Sequence, residues 1–298
     1  MTDNLRGIVA VLISSVAFVV NDVCVKLVSD ELPSGEIIIV RGLLATAMLA
    51  AGVVAMGALR PLGILLTPMM LLRLASAAGA TVFIVLALRY LPLATVITVL
   101  QVTPLTVIAG AAIIYRERVG WGRWLAALGG FLGVVLIVRP GGSFGIAAYL
   151  ALAALVFTTT RDLTTKGLHQ DIPSIFVAAA SAAAVTVAGL LVVPFDSPWQ
   201  MPSSWAWWLM TLSAASLFVA NTAIIMALRK GEMSVIAPFR YVMVPLSLLL
   251  GYWLWGDIPD SIAALGIGLV LAAGLYTLHR ERRSLRRSGA APQHSPAE

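Results

Sequence analysis

Apolar residues along this chain come in runs of about twenty, separated by short charged or proline-containing turns. A helix crossing a hydrocarbon core of about 30 Å needs about twenty apolar residues at 1.5 Å each. Ten segments answer that description, near 5–28, 34–58, 69–89, 93–114, 121–138, 145–166, 174–194, 205–228, 234–255 and 262–279. The pattern predicts an all-α integral membrane protein.

The pattern also repeats. Residues 86–117 read LALRYLPLATVITVLQVTPLTVIAGAAIIYRE and residues 226–257 read MALRKGEMSVIAPFRYVMVPLSLLLGYWLWGD, with Ala87-Leu88-Arg89 answered by Ala227-Leu228-Arg229 140 residues later. Each copy carries a proline at mid-depth, Pro104 and Pro245, and ends on an acid, Glu117 and Asp257. Asp22, Lys26, Pro33 and Ser34 recur at the same separation as Asp162, Lys166, Pro173 and Ser174. The second copy lies mid-chain, where no signal peptide is cleaved, so the first segment is expected to be retained as a helix. Five helices per copy is an odd number, so the chain has crossed the membrane before the second copy starts and the halves are inverted, as in many secondary transporters. The expected division is 1–141 for the first repeat, 142–279 for the second and 280–298 for a basic, disordered cytoplasmic tail.

Charge placement orients the bundle. With the N-terminus inside, fifteen Lys and Arg fall on the cytoplasmic side and three, Lys26, Arg89 and Arg139, on the outer side. Both termini are therefore expected in the cytoplasm. The net charge of +6 is then a matter of topology and anionic lipid, with no nucleic-acid partner required. All eight tryptophans fall at or near predicted segment ends, as an aromatic belt.

Composition narrows the chemistry. At 60% hydrophobic, 11% charged and a mean hydropathy of +0.95, the chain has too little polar surface for a soluble globule. Cys24 is the only cysteine, the three histidines lie outside the predicted core, and no lysine follows a glycine. Neither a metal centre nor a phosphate-cradling GxxxxGK[ST] loop is expected, and no cofactor is expected. A membrane enzyme acting on lipid would need a cluster of His, Asp or Ser near one interface, which the sequence lacks. A scaffold would predict no substrate flux.

Ionisable groups inside a membrane segment are few and call for a reason. Arg41 and Arg240 each lie roughly 10 Å deep by helical rise, with snorkelling as the structural alternative. Asp22 and Lys26, like Asp162 and Lys166, are spaced i, i+4 and can meet on one helix face. Asp22 with Arg41 is the expected closure of the outer side and Asp162 with Arg240 that of the inner side; together with the two lysines these are the gating or coupling candidates. The substrate-binding candidates are Gln101, Arg240, Tyr241, Asn221, Thr103, Asn21 and Thr81, all at membrane depth, with interhelical hydrogen bonding as the alternative for each. Pro104, Pro245 and Pro238 are the expected helix-bending positions. Glycines 129, 130, 133, 266, 268 and 274 mark close packing of the fifth and tenth segments or a dimer surface, so a monomer or homodimer is expected.

The run Arg89-Tyr90-Leu91-Pro92-Leu93-Ala94, then Pro104, Arg116-Glu117-Arg118, Gly129 and Gly133, resembles the repeated EamA domain of the drug/metabolite transporter superfamily. The second half resembles it through Ala237-Pro238-Phe239-Arg240-Tyr241, Pro245, Gly251, Gly256-Asp257, Gly266 and Gly274-Leu275-Tyr276. The resemblance covers residues 5 to 283 and implies a central cavity between segments 1–4 and 6–9. It further implies the bacterial inner membrane as location and a small-molecule substrate, foremost an amino acid exported as by YddG-type members. S-adenosylmethionine-like uptake or drug efflux are the alternatives. In that picture Arg240 meets a substrate carboxylate, and Asp22 or Asp162 an ammonium or a proton.

Overall fold

Backbone surrounded by apolar side chains must satisfy its own N–H and C=O groups, and in a single chain without barrel patterning only helices do so. The computed structural model describes residues 3–114, 116, 121–139, 145–168, 171–230 and 237–289; Glu117 and the side chains of Lys166 and Pro238 lie outside the described residues. Every regular element among the described residues is helical. In chain order these are α1 (Asp3–Val28), α2 (Ser34–Ala55), α3 (Pro68–Tyr90), α4 (Leu93–Leu100), α5 (Thr103–Ile114), α6 (Trp121–Val138), α7 (Gly145–Lys166), α8 (Ser174–Val192), α9 (Ser204–Lys230), α10 (Met243–Trp255) and α11 (Ser261–Gly289). Six stretches, α1, α2, α3, α4 with α5, α8 and α9, are long and apolar enough to cross a membrane, and α6, α10 and α11 contain shorter apolar runs. Hydroxyls inside these helices are satisfied by carbonyls four residues back, as at Thr46 (2.7 Å), Ser76 (2.7 Å) and Thr186 (2.9 Å).

Three boundaries differ from the sequence expectation. The fourth segment is broken by a turn at Gln101–Val102, and the ninth opens with a 3-10 turn, Ala237–Val242, before α10. The breaks are in register, because α5 begins at Thr103 and α10 at Met243, and 243 − 103 = 140. Pro104 has no N–H to give the Leu100 carbonyl, and the Thr103 hydroxyl donates to that carbonyl instead, at 2.6 Å. Pro245 withholds the same bond from the Tyr241 carbonyl. Lastly, α11 continues to Gly289, ten residues into the segment expected to be a disordered tail.

All the extensive helix pairings join one half to the other: α1 packs on α9, α2 on α8, α3 on α7, α6 on α11 and α4 on α10. Shifting by 140 residues turns α1 with α9 into α7 with α3, so the pairing obeys the repeat. Glycine makes the tightest seams. Gly133 and Gly266 lie against each other's backbone between α6 and α11. This part of the small-residue stripe is therefore used within the chain and is not free as a dimer surface, whereas Gly268 has nothing within 4 Å of its Cβ position.

The end of the bundle holding the 193–203 loop is strapped shut. Asp196 accepts from Gly35 N (3.0 Å) and lies 3.9 Å from Arg89, which also reaches Ser34 Oγ (3.3 Å). Glu36 accepts from Gln200 N (3.0 Å), and Glu31 from both Ser203 N (2.8 Å) and Ser203 Oγ (2.9 Å). Acids of the first half thus hold a loop of the second. At the same end α10 closes on Gly256, whose φ of 70° favours glycine, with Asp257 N reaching back to Gly251 O (3.1 Å). Asp260 then caps α11 by accepting from Ala263 N (2.8 Å) and from Arg139 Nη2 (2.6 Å).

The Ala263 N–H first, and the Arg139 guanidinium second, hold the Asp260 carboxyl below its ordinary value. A depressed folded-state pKa stabilises above the unfolded value of about 3.9 and is lost as pH falls below it. Asp260→Asn is expected to lower the melting temperature modestly at neutral pH and to converge on the parent as pH falls below about 4, so that the acid limb of the profile is flattened. Thermal scans of both proteins from neutral to acid pH check this.

Candidate functional site

A buried polar group centres on Asn21 of α1. Its Oδ1 accepts from Arg41 Nη1 of α2 (3.0 Å) and from Ser213 Oγ of α9 (2.7 Å), and its Nδ2 donates to Asp22 Oδ1 (2.9 Å). Arg41, Asn21 and Ser213 are 7%, 4% and 1% exposed. Arg41 and Asp22 are therefore joined only through an amide relay, with a hydroxyl from the other half. Arg41 Nε has no protein partner, nor do the buried hydroxyls of Thr98 and Thr158.

A second group lies toward the opposite end. Arg161 Nε of α7 donates to Asp162 Oδ1 (2.9 Å), and Arg73 of α3 donates through Nε to Thr165 (2.6 Å) and through Nη1 to Ser181 of α8 (3.2 Å). Arg161 and Asp162 are the charges acting on both Arg73 and Arg240. Asp162 thus takes Arg161 as its ion pair, while its charge also acts on Arg240. Arg240 itself is exposed, in the turn that precedes α10.

These two groups are copies. Asp22 maps on Asp162, Asn21 on Arg161, Arg41 on Ser181 and Ser213 on Arg73, each at a separation of 140. In both, the residue before the aspartate donates to its Oδ1 at 2.9 Å. In both, one arginine and one serine approach from two further helices, with the two residues exchanged between helices. Sequence reading missed Arg73, Arg161, Ser181 and Ser213, although the 140-residue offset that carried Asp22 to Asp162 also reaches them.

Between the groups, Gln101 Nε2 donates to Arg240 O (3.1 Å), so the broken fourth segment meets the 3-10 turn of the ninth. The remaining candidates are placed as follows. Tyr241 is buried with its ring directly over Gly274 of α11, away from Gln101. Asn221 Nδ2 donates to Leu217 O of its own helix (2.8 Å), Thr103 holds the Leu100 carbonyl, and Thr81 sits half-buried on α3. Lys26 does not pair with Asp22. Its Nζ donates to Leu88 O (3.1 Å) and Leu91 O (2.7 Å) and sits 5.3 Å from the Trp255 ring centroid, because carbonyls at the end of α3 lack intrahelical donors. No group of three or more metal-ligating side chains occurs among the described residues.

Comparisons with known proteins agree on the class. A riboflavin transporter of Vibrio cholerae is 30% identical over 210 residues, covering 67% of this chain and 68% of that protein. An S-adenosylmethionine uptake transporter of Rickettsia prowazekii is 26% identical over 94% of this chain and 95% of its own length. A pseudopaline exporter of Pseudomonas aeruginosa is 24% identical over 93% and 97%. None of these three is named for amino-acid export. A solved crystal structure matches the fold with a TM-score of 0.64 at 18% identity, over 94% of this chain and 99% of that one. The model of the EamA-like transporter family matches twice, at residues 5–139 and 145–278, and the chain belongs to that family.

Proposed function

We propose that the chain is a secondary transporter of the bacterial inner membrane that moves small metabolites, amino acids foremost, by alternating access between two inverted halves. The observation that carries this reading is the pair of copied polar groups in unlike states. One is sealed, while the side chains of its counterparts Arg161 and Asp162 keep 34% and 40% of their surface accessible. In an inverted repeat, exchanging the conformations of the halves converts one state into its mirror, so the accessible group closes as the sealed one opens. On this reading the chain crosses the membrane ten times with both termini in the cytoplasm. The strapped end is then periplasmic and the end carrying Arg161 and Asp162 faces the cytoplasm.

Two measurements test the proposal. Liposomes containing the purified protein are expected to take up labelled amino acids or related metabolites, and comparison with and without a proton gradient reads coupling. In a Cys24→Ser background, a cysteine at Ser181 is expected to react with an impermeant maleimide in inverted vesicles while one at Ser213 stays protected. No flux across a broad metabolite panel, or equal labelling at both positions, overturns it.

A further inference from the structure

We propose that the accessible polar group is an anion-binding site in which Arg73, Arg161 and Arg240 jointly receive a carboxylate or phosphate of the transported metabolite, so that this end closes only when that group is in place. The inference rests on the transport reading and adds to it the charge of the ligand. Its basis is where the two copied groups stop matching. In the sealed group Arg41 stands against Asp22, for a net charge of zero. In the accessible group the positions of Asn21, Ser213 and Leu100 carry Arg161, Arg73 and Arg240, so three arginines stand against Asp162 and the net charge is 3 − 1 = +2.

Closure in the manner of the sealed group would take that excess charge out of water, and an uncompensated buried charge is strongly unfavourable. A ligand bearing one or two negative charges removes the obstacle. Guanidinium groups suit the task, because their planar forks match carboxylate and phosphate oxygens and stay protonated when desolvated. Arg73 is already oriented by Thr165 and Ser181 on two neighbouring helices. Basic residues at a cytoplasmic end also serve anionic lipid, but Arg73 is held by hydroxyls of two other helices, α7 and α8, and Arg240 sits in a turn whose backbone is joined to Gln101 at the end of α4. A guanidinium tied to two neighbouring helices is not placed as a free lipid-facing anchor.

The test is the melting temperature of the full chain in neutral detergent, titrated with citrate or inorganic phosphate against sodium chloride of equal ionic strength. A saturable rise with citrate or phosphate is expected. Arg73→Gln and Arg240→Gln should each weaken the apparent affinity about ten-fold or more, as loss of a charge-assisted bond does. Arg240→Lys should weaken it less, and Arg139→Gln at the strapped end should leave it unchanged. Arg240→Lys also serves if a glutamine variant does not fold. A rise equal to that with chloride, a rise that persists in the Arg73→Gln/Arg240→Gln double variant, or one seen only with phosphatidylglycerol micelles overturns the site. Metabolite flux in liposomes without any anion response rejects the site and leaves transport standing; an anion response without flux keeps the site and rejects transport.

Discussion

Asn21→Ala is expected to lower unfolding free energy by about 3 to 5 kcal/mol and to bring flux to background, because it removes three hydrogen bonds at once, two of them to charged groups. Arg41 and Ser213 would then be buried without an acceptor, and Asp22 would lose its donor. Stability alone would explain lost flux, so a second substitution separates the roles. Asn21→Asp keeps an acceptor for Arg41, 3.0 Å away, but sets a carboxylate oxygen where Nδ2 now donates to Asp22 at 2.9 Å. The variant should fold with a smaller loss of stability than the alanine, hold this end closed less firmly because two carboxylates now face each other, and transport at a rate different from the parent. Melting curves and initial uptake rates measured together read the difference; an Asn21→Asp protein with unchanged flux removes the relay from the transport cycle.

Gly133→Val is expected to be the most damaging of the apolar substitutions. A Cβ at Gly133 would stand 2.8 Å from Gly266 O, and one at Gly266 2.7 Å from Gly133 O, so backbone meets backbone and no rotamer relieves it. Overpacking of this kind costs about 1 to 3 kcal/mol, and a branched side chain adds to it. Gly268→Ala, two residues from Gly266 and open within 4 Å, is the matched control and should melt within about 0.5 kcal/mol of the parent. Equal melting temperatures for the two variants would mean that α6 and α11 do not close on each other in the membrane.

The helical framework was legible because membrane depth imposes a length on every apolar run and the 140-residue echo supplied a second reading of each boundary. The breaks at Gln101–Val102 and Ala237–Val242 were not, since a proline announces a missing bond without saying whether the helix bends or stops. At Thr103 a neighbouring hydroxyl decided it. Site residues were legible as a set of buried polar positions, and their partners were not. Spacing i, i+4 joined Lys26 to Asp22, but the unsatisfied carbonyls of Leu88 and Leu91 compete for the same ammonium and hold it. Tyr241 shares the register of Gln101, yet the space left by Gly274 draws its ring to α11. Such outcomes are set by contacts that helical spacing does not carry: Lys26 reaches carbonyls 62 and 65 positions away, and Tyr241 meets a glycine 274 − 241 = 33 positions on.

The breaks at Gln101–Val102 and Ala237–Val242 also give the bundle levers. α5 has 12 residues and α10 has 13, so each is a rigid arm of about 18 to 20 Å pivoting near the Gln101 and Arg240 junction. A tilt of about 15° swings the far tip of such an arm by about 5 Å while the pivot scarcely moves. Movement wide enough to admit or release a metabolite at the ends therefore needs almost no displacement at the waist, and α4 can stay docked on α10 while α5 travels.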